Sequence, residues 1–261
     1  MNLAAAKIAG DFQFLEGPVW VPARNELLFS DIPASRINRW KDGRVEVWRE
    51  PSGQANGNSL DPQGRLVTCE HETRRVSRTE PDGTVIALAT HFEGKRLNSP
   101  NDVVCRSDGS VYFSDPPYGV KSELRELDFQ GVFRIGAPGA PQLVAKDFEK
   151  PNGLAFSPDE KHLYIADTER GHLRAFDVRP DGTLHNSRVF CQVERPDGLR
   201  VDPAGNVYVA AMTAVEMFDP AGHRVGTITL PERPANLAFG DADRRSLYIC
   251  ARTSLYRARL P

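Results

Sequence analysis

The feature that most constrains this chain of 261 residues is an internal repeat, in which one short pattern occurs six times. Each copy is an apolar segment, a turn rich in Pro, Asp and Gly, and a second segment of β-branched and aromatic residues. Asn152-Gly-Leu-Ala-Phe-Ser-Pro followed by His162-Leu-Tyr-Ile-Ala-Asp167 is a clear example, and successive copies start 38 to 51 residues apart. Two such segments joined by a turn are typical of a β-hairpin, and this repeat length is that of a β-propeller blade.

The repeat therefore predicts an all-β fold, a six-bladed β-propeller with a central metal-binding channel, formed by residues 1–261 as a single domain. No segment has a convincing apolar period of 3.6 residues, so a helical repeat fits poorly. The last copy is followed by only one strand-like run, Ser254–Arg259. We therefore expect residues 4–9 to supply the outermost strand of the final blade. This arrangement joins both chain ends and removes exposed sheet edges.

One position of each copy, just before the predicted innermost strand, falls in the same register. These residues are Glu16, Asn56, Asn101, Asn152, Asp197 and Ala235. The first strand of every propeller blade lines the central channel, so the six are expected to form a ring around one axis. Carboxylate and amide oxygens suit a hard cation such as calcium. Asn-Gly and Asp-Gly are also ordinary turn dipeptides, but Glu16 is a poor turn residue, which favours a metal site.

Charge and composition exclude several classes of protein. The formal net charge is −2 without a long run of one sign, so the basic surface of a nucleic-acid binder is missing. The first residues are too few and too polar for a secretory signal, and no window has the length of a membrane span. We expect a cytoplasmic protein with no nucleic-acid or membrane partner, whose oligomeric state stays open. The four cysteines lack zinc-site spacing and are interpreted as small core residues.

Several stretches together resemble the gluconolactonase/regucalcin (senescence marker protein) family. They include Phe14-Leu-Glu-Gly-Pro-Val-Trp20, Leu97-Asn-Ser-Pro-Asn-Asp102, Ser114-Asp-Pro-Pro-Tyr-Gly119, Pro151-Asn-Gly-Leu-Ala-Phe156 and Pro196-Asp-Gly-Leu199. The match spans nearly the whole chain in order. The resemblance implies a six-bladed propeller that hydrolyses small sugar lactones with one divalent cation. It also implies that Glu16, Asn152 and Asp197 are metal ligands, that Asn101 is a fourth ligand or a substrate contact, and that Arg96 contacts substrate.

Lactone hydrolysis needs a polarised carbonyl, an activated water and a stabilised oxyanion, and a channel metal can supply the first and third. Asp197 is the first candidate for the general base and Glu16 the second. Tyr118 is expected at the substrate mouth, and His71 is either structural or a mouth residue. Calcium is the favoured ion, while zinc, manganese and magnesium stay open.

Two alternatives share the same site. One is a hydrolase of the phosphotriesterase type that uses the same metal, and the other is a calcium-binding propeller without catalysis. The favoured interpretation is a carboxylic ester hydrolase of the gluconolactonase type, with a small lactone as substrate and an aldonic acid as product.

Overall fold

The computed structural model describes residues 2–136 and 139–261, which are almost entirely β-strand and turn. Their helical segments are two 3₁₀ helices, Pro22–Arg24 and Ser122–Leu124. No helix among these residues has the length and apolar character needed to cross a membrane. The strands form six small sheets arranged in a ring, so the fold is the six-bladed β-propeller that the repeat predicted.

The strands are as follows. Two of them precede the first blade: β1 (Asn2–Ala4) and β2 (Ala6–Ala9). Blade 1 contains β3 (Leu15–Val21), β4 (Glu26–Asp31), β5 (Arg36–Lys41) and β6 (Arg44–Arg49). Blade 2 contains β7 (Ala55–Leu60), β8 (Leu66–Glu70), β9 (Arg75–Thr79) and β10 (Val85–Ala89), and is followed by the hairpin β11 (His91–Phe92) and β12 (Lys95–Arg96).

Blade 3 contains β13 (Val103–Cys105), β14 (Val111–Asp115), β15 (Gly131–Ile135) and β16 (Gln142–Ala145). Blade 4 contains β17 (Pro151–Phe156), β18 (His162–Asp167), β19 (His172–Val178) and β20 (Leu184–Gln192). Blade 5 contains β21 (Leu199–Val201), β22 (Val207–Ala210), β23 (Ala214–Phe218) and β24 (Arg224–Thr229). Blade 6 contains β25 (Pro234–Gly240), β26 (Ser246–Ala251) and β27 (Ser254–Arg259).

The core is divided among the interfaces between neighbouring blades. Six hydrophobic clusters of described residues correspond to the six contacts around the ring, from blades 1 and 2 to blades 6 and 1. In β18, Leu163 and Ile165 pack toward blade 3, whereas Tyr164 and Ala166 pack toward blade 5. Successive strand side chains point to opposite faces, so a sheet that is covered on both faces needs a continuous apolar run. This explains why the second segment of each repeat is predominantly apolar.

The two chain ends meet in the last blade. Strand β2 pairs antiparallel with β27 and is the outermost strand of blade 6, which confirms the expected closure of the ring. The pairing of strand β1 was not predicted from the sequence. This strand pairs parallel with β24 and adds a fifth strand to blade 5. One N-terminal segment therefore covers the outer edges of two neighbouring blades, and both edges are protected from pairing with other chains.

Candidate functional site

The six residues of the predicted ring line a single cavity of about 400 Å³ at one end of the channel. They are Glu16, Asn56, Asn101, Asn152, Asp197 and Ala235. Residues from loops between strands, including Tyr118, His71 and Thr168, form further parts of its wall. The convergence of six chain-distant positions on one cavity is what the aligned register predicted.

Local irregularities in strand pairing direct these side chains into the channel. In blades 1, 2, 4 and 6 the register between the two inner strands shifts at or next to the ring residue. In blades 3 and 5 the inner strand begins only after it, at Val103 and Leu199. A bulge re-aims a side chain at the cost of regular pairing. The repeat predicted every ring residue just before the inner strand. This holds in blades 3 and 5, but in blades 1, 2, 4 and 6 the ring residue lies inside the strand.

The residues directly after the ring form a second layer, defined as Gly17, Gly57, Asp102, Gly153, Gly198 and Asn236. A Cβ atom on Gly153 would meet the carbonyl oxygen of Asp197 and lie 2.7 Å from the Cα of Gly198. The glycines of this layer thus let the inner strands of adjacent blades approach each other closely. Only Asp102 and Asn236 carry side chains in this layer, and both are buried.

Glu16 is held by the second layer. Its Oε2 accepts hydrogen bonds from the backbone N–H of Gly17 at 2.8 Å and from Nδ2 of Asn236 at 3.0 Å. The same Nδ2 donates to Oδ2 of Asp102 at 3.2 Å, so one amide links two buried carboxyl groups across the channel. Burial raises the pKa of Glu16 well above its usual range, and the charges of Asp197 and Asp102 raise it further.

Asp197 faces the cavity from blade 5. Burial raises the pKa of its carboxyl group to about 7, against the opposing charge of Arg233, whose Nη2 lies 4.0 Å from Oδ2. Burial likewise raises the pKa of Asp102, whose Oδ2 lies 3.9 Å from Nη1 of Arg200. Three acidic groups, of which Glu16 and Asp102 are buried and Asp197 largely so, thus surround the channel axis with little positive charge to balance them.

The amide of Asn152 is oriented by its neighbours. Its Nδ2 donates to Oγ1 of Thr168 at 3.1 Å and lies 3.4 Å from the hydroxyl oxygen of Tyr118. The hydroxyl of Thr168 in turn donates to the carbonyl oxygen of Pro196 at 2.7 Å, which ties blade 4 to blade 5 beside Asp197. With its nitrogen engaged in this way, Asn152 has its oxygen available as a ligand.

Asn56 and Asn101 complete the polar part of the ring. Nδ2 of Asn56 lies 3.0 Å from Nε2 of His71, and burial lowers the pKa of that imidazole to about 4. His71 is therefore neutral at pH 7 and accepts the hydrogen bond from the amide. The side chain of Asn101 lines the cavity and makes no hydrogen bond to the described residues, so its amide is free for a ligand.

The donor set fits a hard cation. No three His, Cys, Asp or Glu side chains of the described residues are grouped so that they could hold a metal. The cavity instead offers the carboxylates of Glu16 and Asp197 together with amide oxygens, which is the mixed oxygen set that calcium accepts and a zinc site rarely uses. A divalent cation would also offset the excess negative charge that raises the pKa values of Glu16 and Asp197.

Arg96 lies elsewhere. It belongs to the hairpin strand β12, where its backbone N–H donates to Glu126 and its guanidinium donates to the carbonyl oxygen of Thr73 at 3.1 Å. It does not line the described cavity. Three other arginines do, namely Arg195, Arg233 and Arg252. Arg195 and Arg233 stand two residues before ring positions, so extending the alignment upstream by two residues would have found them.

Comparison with known proteins identifies the family of this chain. The family model described as the SMP-30/gluconolactonase/LRE-like region matches residues 14–253. The chain belongs to this family. A gluconolactonase from Zymomonas mobilis is 34% identical, with 97% of this chain and 80% of the relative covered.

Solved structures of relatives agree in fold. A gluconolactonase from Xanthomonas campestris superposes with a TM-score of 0.93 at 36% identity and covers 98% of this chain and 89% of its own. A calcium-binding protein, regucalcin, from Agrobacterium tumefaciens has a TM-score of 0.81 at 16% identity, with 100% and 97% of the two chains covered. The latter similarity supports the propeller fold of the family alone.

Proposed function

We propose that this chain is a divalent-cation-dependent lactonase that opens small sugar lactones to aldonic acids. Its similarity to two gluconolactonases over most of their length supports an enzyme that hydrolyses lactones. The observation that carries the proposal is the pairing of two carboxyl groups, the buried Glu16 and the largely buried Asp197, with amide side chains around one cavity. Such a set is costly to bury unless a cation or a substrate balances it.

Glu16, Asn152 and Asp197 would hold the cation, with Asn101 as a fourth ligand or as a contact to a substrate hydroxyl. Calcium is the favoured ion, in line with the oxygen donors that line the cavity. When bound, a divalent cation supplies Lewis-acid polarisation of the lactone carbonyl and promotes ionisation of water.

Asp197 is the proposed general base, and Glu16 is the second candidate. The carboxylate of Asp197 takes a proton from water as the water oxygen attacks the lactone carbonyl carbon. The bond between that carbon and the ring oxygen of the lactone then breaks. The leaving ring oxygen takes up a proton, so water and lactone give one hydroxy acid. Asp197 suits this role because its carboxyl group lines the cavity in which the lactone would bind.

The remaining wall of the cavity orients the substrate. Tyr118 is half exposed at the mouth, and burial raises the pKa of its hydroxyl to about 12, so it is protonated and can donate to a sugar oxygen. Neutral His71 is held by Asn56, which suits a positioning role better than acid–base catalysis.

The proposal is tested by chelating the protein and restoring calcium, zinc, manganese or magnesium one at a time. Hydrolysis of glucono-1,5-lactone, a xylonolactone and a phosphotriester is followed by acid release or chromophore release after subtraction of the uncatalysed rate. We expect lactone turnover that depends on the cation, and at least a 100-fold loss of kcat in Asp197→Ala. Asp181→Asn, an exposed substitution on blade 4, is the matched control.

Full activity in strong chelator would refute the metal dependence, and near-normal turnover of Asp197→Ala with bound metal would refute its role as base. Phosphotriester cleavage in preference to lactones would favour the phosphotriesterase alternative. Calcium binding without hydrolysis of any substrate would favour a non-catalytic calcium-binding propeller.

A further inference from the structure

One side of the cavity mouth is cationic and the other is not. The positions two residues before the ring are, in blade order, Phe14, Gln54, Ser99, Lys150, Arg195 and Arg233. Blades 1 to 3 thus present neutral residues in this upper layer, and blades 4 to 6 present three cations in succession. Arg252, on the turn between β26 and β27, adds a fourth cation on the same side.

These cations have few negative partners. Lys150 and Arg195 share a single carboxylate, Glu169, whose Oε1 lies 3.3 Å and 3.4 Å from their nitrogens. Arg233 lies 4.0 Å from Asp197, which a divalent cation would also engage. Within the described residues Arg252 has no carboxylate within ion-pair distance, and its guanidinium lies 5.7 Å from the ring centre of Phe14.

The nearby acidic groups do not neutralise this half of the mouth. Glu232, next to Arg233, accepts hydrogen bonds from Thr253 and from the hydroxyl of Tyr256 and forms no ion pair with a described cation. If a divalent cation balances Glu16 and Asp197, the three arginines that line the cavity have one other carboxylate partner among the described residues, the Glu169 that Arg195 shares with Lys150. A cavity with this charge attracts anions and holds them best through arginine, which forms paired hydrogen bonds to carboxylate or phosphate.

We infer that the cationic side formed by Arg195, Arg233 and Arg252 is a subsite for an anionic group, and that the preferred substrates are lactones with a carboxylate or phosphate at the end remote from the ester. The inference rests on the proposed lactonase function. Arg233 borders the ring, with Nη2 4.0 Å from Oδ2 of Asp197. Arg195 and Arg252 are instead exposed at the cavity mouth, where the end of the substrate remote from the ester would lie. Phe14, Ile32 and Pro33 also line the cavity and offer apolar contact to the sugar face.

The test compares lactones that differ in one anionic group. Glucaro-1,4-lactone is paired with glucono-1,4-lactone, and 6-phosphoglucono-1,5-lactone with glucono-1,5-lactone, so that the two anion types are distinguished. We expect kcat/KM of the wild-type protein to be at least tenfold higher for one anionic member, mainly through a lower KM, with the advantage shrinking as salt is raised. In Arg252→Gln the ratio of anionic to neutral kcat/KM falls at least tenfold. Arg179→Gln, an exposed substitution on the outer side of blade 4, leaves the ratio unchanged.

A binding measurement separates this inference from the lactonase function itself. Calorimetric titration with the open-chain dianion glucarate and the monoanion gluconate is expected to give tighter binding of glucarate, and Arg252→Gln should abolish the difference. Neutral lactones hydrolysed as well as anionic ones, with an unchanged ratio in Arg252→Gln, would overturn the anion subsite and leave the lactonase proposal intact. A protein inactive on every lactone would overturn the proposed function, and equal binding of the two acids would then overturn the subsite as well.

Discussion

Replacement of Gly153 by alanine tests how tightly the channel layers are packed. The new Cβ would lie 2.7 Å from the Cα of Gly198 and 3.0 Å from the backbone nitrogen of Leu199, and would also meet the carbonyl oxygen of Asp197. All three are backbone atoms, so no flexible side chain can move aside. Relief of the Gly198 contact from 2.7 Å to an ordinary 3.4 Å requires the inner strands of blades 4 and 5 to separate by about 0.7 Å, and the closer contact with the Asp197 carbonyl oxygen requires more.

Such overpacking costs about 1–3 kcal/mol, and the lower entropy of the unfolded alanine chain returns about 0.4–1 kcal/mol. We therefore expect Gly153→Ala to lose about 1.3 kcal/mol of unfolding free energy, which lowers Tm by about 3–5 °C in a chain of this size. Because Asn152 and Asp197 flank the separated strands, we also expect at least tenfold weaker binding of the divalent cation.

Calorimetry and fluorescence from Trp20, Trp40 and Trp48, all in blade 1, report the unfolding, and titration with calcium reports the binding. Gly139→Ala is the matched control, since the nearest atom to its new Cβ is the carbonyl oxygen of Gly136 at 3.8 Å. A Tm of Gly153→Ala within 1 °C of the wild type, with unchanged calcium affinity, would refute the view that close strand approach builds the site.

Three further predictions concern groups around the ring. In the cation-free protein Asp197 binds a proton between pH 4 and pH 7 that the unfolded chain does not bind, so its contribution to the unfolding free energy falls as pH rises through this range. The variant Asp197→Asn should therefore flatten a plot of unfolding free energy against pH. An unchanged slope would contradict the raised pKa of Asp197. Thr168→Val removes the hydroxyl that accepts a hydrogen bond from Asn152 and donates one to the carbonyl oxygen of Pro196. We expect the free energy of unfolding in urea to fall by about 1–3 kcal/mol and cation binding to weaken. The control Thr183→Val, on an exposed turn, should change neither. Deletion of residues 2–9 exposes the edges of β24 and β27 and should produce concentration-dependent association in light scattering; a monodisperse, equally stable variant would argue against edge protection.

The repeat made the propeller and its ring predictable because the two signals involved depend only on chain order. Apolar segments in pairs predict the inner strands, and equal register places Glu16, Asn152 and Asp197 at one depth. The pairing of β2 with β27 followed from a missing strand in the last repeat. The parallel pairing of β1 with β24 had no such signal, because three residues carry too little pattern to indicate a partner 225 residues away.

The side chains behind the ring were beyond sequence reasoning for a different reason. Asp102 and Asn236 follow ring positions where four other blades have glycine, and this exception is visible in the sequence. What the sequence does not give is the contact of Asn236 with both Glu16 and Asp102, because these residues belong to blades 6, 1 and 3 and meet only across the channel. Arg96 was expected near the cavity by resemblance alone, and its hairpin directs it to Thr73 instead.

The layers of the channel have separable chemical tasks because each blade contributes one residue to each layer. The second layer consists of four glycines, the carboxyl group of Asp102 and the bridging amide of Asn236. The ring supplies oxygen donors, and the layer above it divides into a neutral half and a cationic half. A substitution in the upper layer changes one sixth of that layer and leaves the six ring residues unchanged. Substrate preference in such a propeller can therefore change through residues such as Arg233 and Arg252 while the carboxylates below keep their positions.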